Sequence, residues 1–403
     1  MSRGRLIEMA REQLAHQQAG TMPLAPSITR LPVANYFDPA RFQLELDRMF
    51  RRVPLALAMS AELREPNSYK AMDVVGVPLL LVRGGDGQVR GFVNMCSHRG
   101  AKLVTDGAGS TRRFTCPYHA WSFDAAGDLV GVFREKSFGE LDHTCFGLTA
   151  LTVAERGGIV WGCVSPKHTP DVDAFLGEFG ELIEHLRLGE MHHYGRRELD
   201  GPNWKVAFDG YTDIYHLPVL HRRTFGEDIS PEGFFHPLGP HQRITGPRGR
   251  WLAYADRPED EWPDDLLIAG IWSIFPHGSI AAFDIDGGTL YQIARIFPGE
   301  TAEQSVSHLD YVSLTPPSPE FTAAVERQID FLVHVVRDED YATGLDIQRT
   351  VRTGAKTEFV FGRNEGGAQH VHGWIDRVLA TADDDLDDLF RSTRPVAGAS
   401  AGD

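Results

Sequence analysis

The sequence predicts an α+β fold in two domains, a small all-β domain near the N-terminus and a larger domain that mixes helices with strands. Three observations lead to this prediction. The chain has 403 residues, which is more than one hydrophobic core usually supports. Residues 69–164 alternate strand-like segments with turns, whereas the chain beyond residue 165 combines strand-like segments with a long helical pattern.

Linkers and changes in composition give the expected domain boundaries. A Pro-rich stretch, Thr21–Val33, and a second stretch with two prolines, Ser165–Phe175, read as linkers. We therefore expect an N-terminal helical segment and linker over residues 1–52, the β domain over 53–165, the larger domain over 166–382 and an acidic tail over 383–403. The N-terminal segment lacks a hydrophobic signal core and is expected to be a docking helix.

Individual elements follow from local signals. Val74–Met95 predicts two strands joined by a Gly-Asp-Gly turn. Asp38-Pro39 predicts the N-cap and first turn of a short helix. Gly270–Phe283 and Thr289–Phe297 each predict a strand, and Pro319–Arg352 predicts a long helix, because its apolar residues recur at helical spacing along one stripe.

Composition limits the partners. The chain has 40 Lys+Arg against 56 Asp+Glu, a formal net charge of −16. Such a charge repels phosphates and anionic lipids, which argues against nucleic acid and membrane surfaces as partners. The longest apolar runs have only the length of a strand. Four cysteines do not make a secreted disulfide framework, so we expect a reducing, cytoplasmic compartment, where clustered cysteine and histidine indicate a metal.

One short stretch supplies four potential metal ligands. Cys96-x-His98 and Cys116-x-x-His119 are 17 residues apart and fall at turns in the predicted β domain. Two sites fit this set: a tetrahedral zinc, or a two-iron, two-sulfide cluster in which histidines replace two cysteines on one iron. Zinc modules usually present Cys-x-x-Cys followed by paired histidines, whereas here each loop offers one ligand of each type.

The same stretch carries a resemblance to a known family. CSHRGAKL at residues 96–103 and CPYHAWSFDAAGDL at 116–129 resemble the cluster-binding signature of Rieske iron–sulfur domains. The resemblance implies that Cys96, His98, Cys116 and His119 bind a [2Fe-2S] cluster.

A second candidate site lies downstream in NWKVAFDGYTDIYHLPVLH, residues 203–221. If this segment is helical, Asp213 and His216 share a face. Pro218 would then deform the helix and bring His221 beside His216. Two imidazoles need one carboxylate to complete the facial triad of oxygen-activating ferrous enzymes, and the best candidate is in DEDYATGLDIQ, residues 338–348.

Along nearly its whole length the chain resembles the terminal oxygenase α subunits of Rieske non-haem iron oxygenases, the ring-hydroxylating family. The resemblance implies iron ligation by His216 and His221, and by Asp340, which lies eight residues before Gln348. Asp338, Glu339 and Asp346 are neighbours that could be confused with it. Asp213 matches the bridging acid between the two metal centres. The implied catalytic domain is helix-grip-like, with an antiparallel sheet. Asp209-Gly210 departs from the common Glu-Asn, which removes an amide near the site.

The resemblance also implies a function. It implies O₂-dependent hydroxylation of a small organic, most often aromatic, substrate at Fe²⁺. Electrons would come from NAD(P)H through a ferredoxin or flavin reductase, and the implied assembly is a homotrimer, with or without a small β subunit. The sequence does not decide between dioxygenation and monooxygenation or demethylation. The alternatives are an amine or quaternary-ammonium Rieske monooxygenase, a non-catalytic zinc-binding protein and a pure electron carrier.

Overall fold

The computed structural model describes residues 2–226 and 229–392. These residues divide into two compact units. The smaller unit comprises Leu46–Val172 together with Leu188–Glu190, and the larger unit comprises the chain up to Glu45, Asp173–Arg187 and the chain from Met191 onward. No helix in these described ranges combines the length and the apolar composition that crossing a membrane requires.

The N-terminal segment belongs to the larger unit. It contains helix α1 (Ser2–Ala19), strand β1 (Thr29–Pro32) and helix α2 (Pro39–Glu45). Leu6, Met9 and Leu14 of α1 are buried, and the helix packs on residues 249–254 and 264–268, as expected for a docking helix. The predicted cap of α2 is confirmed, since Asp38 Oδ1 accepts a hydrogen bond from the backbone N–H of Ala40 at 2.7 Å. The prediction of a linker over Thr21–Val33 is wrong for its last residues, because Thr29–Pro32 form strand β1.

The smaller unit is built from short antiparallel strands: β2 (Leu55–Met59), β3 (Ser68–Val74), β4 (Val77–Arg83), β5 (Val89–Val93), β6 (Gly107–Ser110), β7 (Arg113–Thr115), β8 (Ser122–Asp124), β9 (Leu129–Gly131), β10 (Ala150–Leu151), β11 (Val153–Arg156) and β12 (Ile159–Gly162). They form three sheets, in the orders β10-β5-β4-β3-β6, β11-β12-β2 and β7-β8-β9. The predicted β4–β5 hairpin is confirmed, with Asp86 Oδ1 accepting from the N–H of Gln88 in its turn.

The core of the smaller unit forms beneath the two cysteine–histidine loops. Buried side chains from β3, β4, β5, β7 and β8 pack into one cluster that includes Phe92, Phe114 and Phe123. Cys96 and Cys116 belong to the same cluster, so the two thiols are held in the hydrophobic interior while the loops that carry them reach the surface.

The larger unit continues with α3 (Val172–Ile183), β13 (His192–Gly201), α4 (Trp204–Thr212), α5 (Leu217–Leu220), β14 (Phe234–Leu238), β15 (His241–Thr245), α6 (Asp264–Ile268), β16 (Ile271–Ile274), β17 (Gly278–Ile285), β18 (Gly288–Pro298), β19 (Ser305–Ser313), α7 (Pro319–His334), α8 (Ala342–Val351), β20 (Glu358–Phe361), α9 (Gly366–Ala380) and α10 (Leu386–Arg391). Its seven-stranded antiparallel sheet has the order β13-β19-β18-β17-β16-β15-β14, and β20 pairs separately with β1. Helix α4 packs on β16, β18 and β19 and contacts α8 and α9, which confirms the α+β prediction.

Three expected elements differ in the structure. Gly270–Phe283 is two strands, β16 and β17, rather than one, because a turn at Phe275-Pro276 separates them. The long helix is interrupted by a π-helical segment, Val335–Tyr341, between α7 and α8. The acidic tail begins with α10, whose Leu386 and Phe390 are buried, and residues 393–403 lie outside the described residues.

Candidate metal centres

The two cysteine–histidine loops of the smaller unit share one backbone design. In the first, the N–H of Gly100 donates to the carbonyl of Cys96, and the N–H of Cys96 donates to the carbonyl of Ala101. In the second, the N–H of Ala120 donates to the carbonyl of Cys116, and the N–H of Cys116 donates to the carbonyl of Trp121. Each loop therefore closes around its cysteine with the same pair of hydrogen bonds.

Both loops turn through a left-handed residue four positions after the cysteine. Gly100 has φ +77°, which glycine adopts without steric cost. Ala120 has φ +56°, where a Cβ is unfavourable. The second loop therefore holds a strained backbone that the surrounding structure must over-determine, as is frequent at functional sites. The glycine is a recognisable turn signal in the sequence, whereas the alanine is not.

The four predicted cluster residues come together. The Cys96 and Cys116 thiols are buried and adjacent, and the rings of His98 and His119 have centroids 4.8 Å apart. His98 also stacks on Trp121 at 4.8 Å with an interplanar angle of 9°. The sulfur donors thus lie on the inner side and the imidazoles on the outer, half-buried side of one small site.

The chemistry of these donors fits a metal cluster. His119 Nδ1 is buried and has no hydrogen-bond partner in the part of the chain that the structure describes, which is costly for a polar atom unless a metal or another group satisfies it. Burial, followed by the neighbouring Cys116, raises the pKa of the Cys96 thiol, so its thiolate needs a cation beside it. Two thiolates and two imidazoles suit either a zinc or a [2Fe-2S] cluster.

The second site begins where α4 ends. Asp213 follows the helix with extended dihedrals, φ −119° and ψ 133°, so the expectation that Asp213 and His216 share a helical face is wrong. A local turn brings them together instead. Asp213 Oδ1 accepts from the N–H of Tyr215 at 2.5 Å, and Asp213 Oδ2 lies 3.1 Å from His216 Nδ1.

The two downstream histidines bracket a single helical turn. Helix α5 lies between His216 and His221, and the N–H of His221 donates to the carbonyl of Leu217. The expected role of Pro218 is also corrected, because it opens this turn, where its missing N–H costs nothing, instead of breaking a longer helix. The predicted proximity is found, with ring centroids 5.1 Å apart.

The carboxylate that meets these rings comes from the π-helical segment. Asp340 Oδ1 lies 3.0 Å from His221 Nε2 and 3.7 Å from His216 Nε2. One ligand atom from each of the three residues lies within 4.8 Å of the others. Two neighbouring carboxylates that could be confused with Asp340 are engaged with other residues. Asp338 pairs with Arg337 and His334, and Asp346 pairs with Arg349. A π-helical turn inside an α-helix is typical of functional sites, and here Asp340 lies within such a turn, between α7 and α8.

Carboxylates behind the rings fix which nitrogen faces inward. Asp213 holds His216 Nδ1, and Glu339 Oε2 lies 2.6 Å from His221 Nδ1. Burial alone would lower the pKa of His221, but hydrogen bonds and charge from Asp340 and Glu339 outweigh burial and raise it. A site that holds a proton on a buried ring in this way also attracts a metal cation. From the sequence, Glu339 is expected only as a neighbour that could be confused with Asp340. Its hydrogen bond with His221 Nδ1 is found only in the structure.

Gln348 connects the elements that carry the triad. Its Oε1 accepts from the N–H of Asn203 at 2.7 Å, and its Nε2 donates to the carbonyl of Glu303 at 2.9 Å. Asn203 is the N-cap of α4, and its own Nδ2 donates to the carbonyl of Ala302. Gln348 therefore links α8, which follows Asp340, to the start of α4, which leads to His216.

A cavity of about 330 Å³ adjoins this site in the larger unit. Apolar side chains form much of its wall, among them Val206, Leu220, Ile347 and Phe359. His216, Asp340 and the carboxylates of Asp209, Asp213 and Glu365 also line it. Of the other residues near the histidines in sequence, Phe208 and Ile214 are buried core, and Phe225 packs edge-on against His221 at 5.4 Å.

The departure at Asp209-Gly210 is visible in this cavity. Asp209 accepts from Tyr36 Oη at 2.7 Å and lies 2.8 Å from His372 Nε2, so its carboxylate ties α4 to the N-terminal segment and to α9. A Cβ at position 210 would meet no atom within 4 Å. Gly210 thus leaves open space where the family commonly has an amide.

Each of the two units contains a segment that matches the model of a known protein family. The Rieske [2Fe-2S] domain model matches residues 54–142, and the model of the ring-hydroxylating α subunit catalytic domain matches 188–381. The chain is 34% identical over 313 residues to the terminal oxygenase component subunit alpha 2 of terephthalate 1,2-dioxygenase from Comamonas sp., covering 72% of this chain and 73% of that protein.

Two further relatives are also subunits of oxygenases. The carnitine monooxygenase oxygenase subunit of Escherichia coli is 28% identical over 370 residues, covering 87% of this chain and 93% of that protein. Similarity to chlorobenzene dioxygenase subunit alpha from Cupriavidus sp. reaches 33% over 190 residues, so the chain spans less than half of that relative, 42%.

A crystal structure of a quaternary ammonium Rieske monooxygenase with L-carnitine shares the fold, with a TM-score of 0.72, 22% identity, and coverage of 87% of this chain and 96% of that one. Proteins of this kind work with electron-transfer partners and form oligomers. The chain therefore belongs to the Rieske ring-hydroxylating oxygenase family, as an α subunit with a Rieske [2Fe-2S] domain followed by a mononuclear-iron catalytic domain.

Proposed function

We propose that this protein is the oxygenase component of an O₂-dependent enzyme that hydroxylates a small organic substrate at a ferrous ion. The observation that carries the proposal is the convergence of His216, His221 and Asp340 in a chain that also has the two Rieske loops. In this proposal those three residues hold the iron, and the cluster is held by Cys96, His98, Cys116 and His119.

When bound, the cluster would supply single electrons, and the ferrous ion would supply the capacity to activate O₂. The side chains of this protein prepare that chemistry. Asp213 accepts the Nδ1 proton of His216, and Glu339 accepts the Nδ1 proton of His221, so both rings direct the lone pair of Nε2 towards Asp340. The tautomers are thus fixed before a metal arrives, which lowers the cost of binding it.

The electron path is proposed to run between the protomers of a homotrimer through Asp213. Its carboxylate borders the cavity and is 19% exposed, so a cluster histidine of a second protomer could contact it. Large apolar side chains are exposed beside both centres: Tyr215 and Val219 next to His216, and Tyr118 next to His119. Exposed apolar groups at both ends of a required electron path support contact between copies.

The proposed electron donor is a ferredoxin or a flavin reductase that draws on NAD(P)H, in the cytoplasm. The glycines at 84–87 belong to the β4–β5 hairpin and do not open a helix, as a dinucleotide-binding turn would. All four cysteines are free thiols, which supports a reducing compartment.

The favoured substrate is a small aromatic compound, and the apolar wall of the cavity supports this choice. One observation favours a second candidate, an amine or quaternary ammonium compound. Among the residues that the structure describes, those lining this cavity include Asp209 and Glu365 but neither lysine nor arginine, so they offer a substrate carboxylate no cationic partner. The similarity to the carnitine monooxygenase oxygenase subunit and to the quaternary ammonium Rieske monooxygenase supports a quaternary ammonium substrate as well.

Metal analysis of protein produced with iron and sulfide available tests the metal chemistry. We expect a red-brown protein with about three irons per chain and two labile sulfides. A colourless protein that contains only zinc would overturn the proposal in favour of a non-catalytic zinc-binding protein. His216→Ala should keep the cluster absorbance and lose one iron together with substrate-dependent O₂ uptake; a fully active variant would remove His216 from the site.

Turnover assays separate the substrate candidates. With a reductase and NADH present, O₂ uptake and product formation should be measured with an uncharged arene, with terephthalate and with choline, a quaternary ammonium compound that has no carboxylate. Product from the arene alone supports the aromatic assignment, whereas product from choline alone supports the amine monooxygenase. Preferential turnover of terephthalate would contradict the inference drawn from the acidic cavity wall.

A further inference from the structure

We propose that Glu365 is the proton donor that serves the mononuclear metal site. The inference rests on the proposed oxygenase function and adds a residue to it. Glu365 is the N-cap residue of α9 and is half-buried. It lines the same cavity as His216 and Asp340, which connects its carboxyl group with the site where oxygen would react.

The proposed reaction requires protons whichever product forms. Hydroxylation converts R–H, O₂, two electrons and two protons into R–OH and water, and cis-dihydroxylation adds O₂, two electrons and two protons to an arene. The electrons come from the reductase through the cluster. The two protons must end on oxygen atoms derived from O₂, either in the product or in water. Each electron delivered therefore needs one proton delivered to the same place.

The other carboxylates of the cavity are already engaged. Asp213 accepts from Tyr215 and is paired with His216, Asp209 is paired with Tyr36 and His372, and Asp340 meets His221. Each of these groups has a role that holds another side chain in place. In the described chain, the only hydrogen bond of the Glu365 side chain is from the backbone N–H of Gly362, at 2.5 Å.

The surroundings of Glu365 favour its protonated form. Burial is the largest influence and raises the pKa of this carboxyl; the hydrogen bond from the Gly362 N–H opposes it, and the charges of Asp213 and Asp209 add to the increase, so that the net pKa is raised. Within residues 2–226 and 229–392, the other titratable groups that face the cavity are Tyr36, Asp209, Asp213, His216, Asp340 and Tyr341, and no lysine or arginine lines it. An acid in this position can release a proton when an electron makes the site more negative.

The proton balance of the step is simple. The O–H bond of the Glu365 carboxyl breaks, the proton passes into the cavity, directly or through water, and it ends on an oxygen derived from O₂. The carboxylate then takes a proton from solvent through the open side of the cavity. A cavity of about 330 Å³ has room for such bridging water, since one water occupies about 30 Å³.

The test compares Glu365→Gln with Glu358→Gln. Glutamine at position 365 can still accept from the Gly362 N–H, so the turn is kept while the acidic proton is lost. Glu358 lies nearby on β20, pairs with Arg30 and is outside the cavity lining, which makes it the matched control. Before turnover is compared, metal analysis and visible absorption must show equal iron and cluster content in all three proteins.

Two readouts decide the inference. In infrared spectra recorded through a pH titration, the wild type should keep a protonated-carboxyl stretching band above the range of an ordinary glutamic acid, a band that Glu365→Gln lacks and Glu358→Gln retains. Glu365→Gln should also lower the rate of product formation by about 10²-fold and increase the solvent isotope effect, within the range for general acids. An unchanged band, or an unchanged rate and isotope effect at full metal content, would overturn it. Absence of O₂ turnover in the wild type would instead overturn the proposed function, while the infrared band still reports the state of Glu365.

Discussion

Glu339 Oε2 lies 2.6 Å from Nδ1 of His221, and the next residue in the chain, Asp340, lies 3.0 Å from Nε2 of the same ring. Two consecutive carboxylates therefore hold the two nitrogens of one imidazole. This is possible because the ring enters beside the π-helical segment Val335–Tyr341, where the side chains depart from α-helical spacing. Glu339 thus positions the ring that would bind iron, and Thr224 Oγ1 donates to the same Glu339 oxygen at 2.9 Å.

The first prediction is that Glu339→Gln weakens iron binding. An amide in place of the carboxylate no longer favours the proton on Nδ1, so the tautomer with Nε2 free becomes less populated. Loss of such an outer carboxylate typically costs about 10–100-fold in metal affinity. The measurement is Fe²⁺ titration of the iron-depleted protein. Asp338→Asn, in the same π-helical segment but paired with Arg337 at the surface, should bind iron like the wild type; equal losses in both variants would contradict the role of Glu339.

The second prediction concerns the link made by Gln348. Gln348→Ala breaks the hydrogen bonds to Asn203 and Glu303, so Asp340 is held less firmly relative to His216 and His221. We expect a stability loss of about 1–3 kcal/mol, because a backbone N–H loses its partner. We also expect a broadened spectrum of nitric oxide-treated ferrous protein, which reports on the iron site. Arg349→Ala, at the neighbouring exposed position, should change neither property.

The sequence was sufficient to predict that the two cysteine–histidine loops lie at turns of a β domain, and it predicted the helix–sheet composition. Spacing alone grouped Cys96 with His98 and Cys116 with His119, because both pairs are local. The β4–β5 hairpin followed from its Gly-Asp-Gly turn, and α2 followed from Asp38-Pro39. These features depend on neighbours in sequence, and so local patterns reveal them.

Features that depend on tertiary contacts were predicted incompletely. The segment from Asp213 to His221 has the composition of a helix, yet Asp213 leaves the helix so that its carboxylate can reach both Tyr215 and His216. The apolar stripe of Pro319–Arg352 gives no sign of the π-helical turn, because a π-helix changes the register without interrupting the stripe. Glu339 could have been recognised from its position beside Asp340, but only if that turn had been expected.

The third prediction tests the smaller unit. Cys116→Ser should abolish or strongly reduce the visible absorbance of the cluster, because serine is a harder ligand than the thiolate that iron–sulfur clusters require. Far-ultraviolet circular dichroism should remain that of a β-rich fold, since the rest of the core cluster around Phe114 and Phe123 is unchanged. Cys145→Ser provides the control, because Cys145 is exposed. Equal cluster content in the two variants would exclude Cys116 as a ligand.

The fourth prediction is that Asp213→Asn separates electron storage from electron use. Asparagine preserves the size of the side chain but removes the charge that stabilises the Nδ1 proton of His216. We expect the cluster to be reduced normally, while its reoxidation by O₂ in the presence of substrate slows about 10–100-fold. Stopped-flow absorbance of the reduced protein measures this rate. Reoxidation at the wild-type rate would exclude Asp213 from the path.

The fifth prediction is that stability falls between pH 7 and pH 5 because of buried neutral histidines. Burial lowers the pKa of His236, His241 and His277 to about 3 each, against about 6.5 in the unfolded chain. In the window from pH 6.5 to pH 3 the unfolded chain binds more protons, so the free energy of unfolding decreases as the pH falls, by about 2 kcal/mol per histidine between pH 7 and pH 5.

His241 shows why protonation is resisted and allows the test. Its Nδ1 accepts from the N–H of Phe275 and its Nε2 lies 3.2 Å from the carbonyl of Phe175, so a second ring proton would remove the acceptor that Phe275 needs. Urea unfolding at pH 7 and pH 5 measures the effect. His241→Gln should be less stable than the wild type at pH 7 yet lose about 2 kcal/mol less on acidification, whereas His334→Gln, at a half-exposed position, should keep the wild-type pH dependence. A His241→Gln variant with an unchanged pH dependence would mean that His241 has the same pKa in the folded and the unfolded chain, which would contradict the lowered pKa.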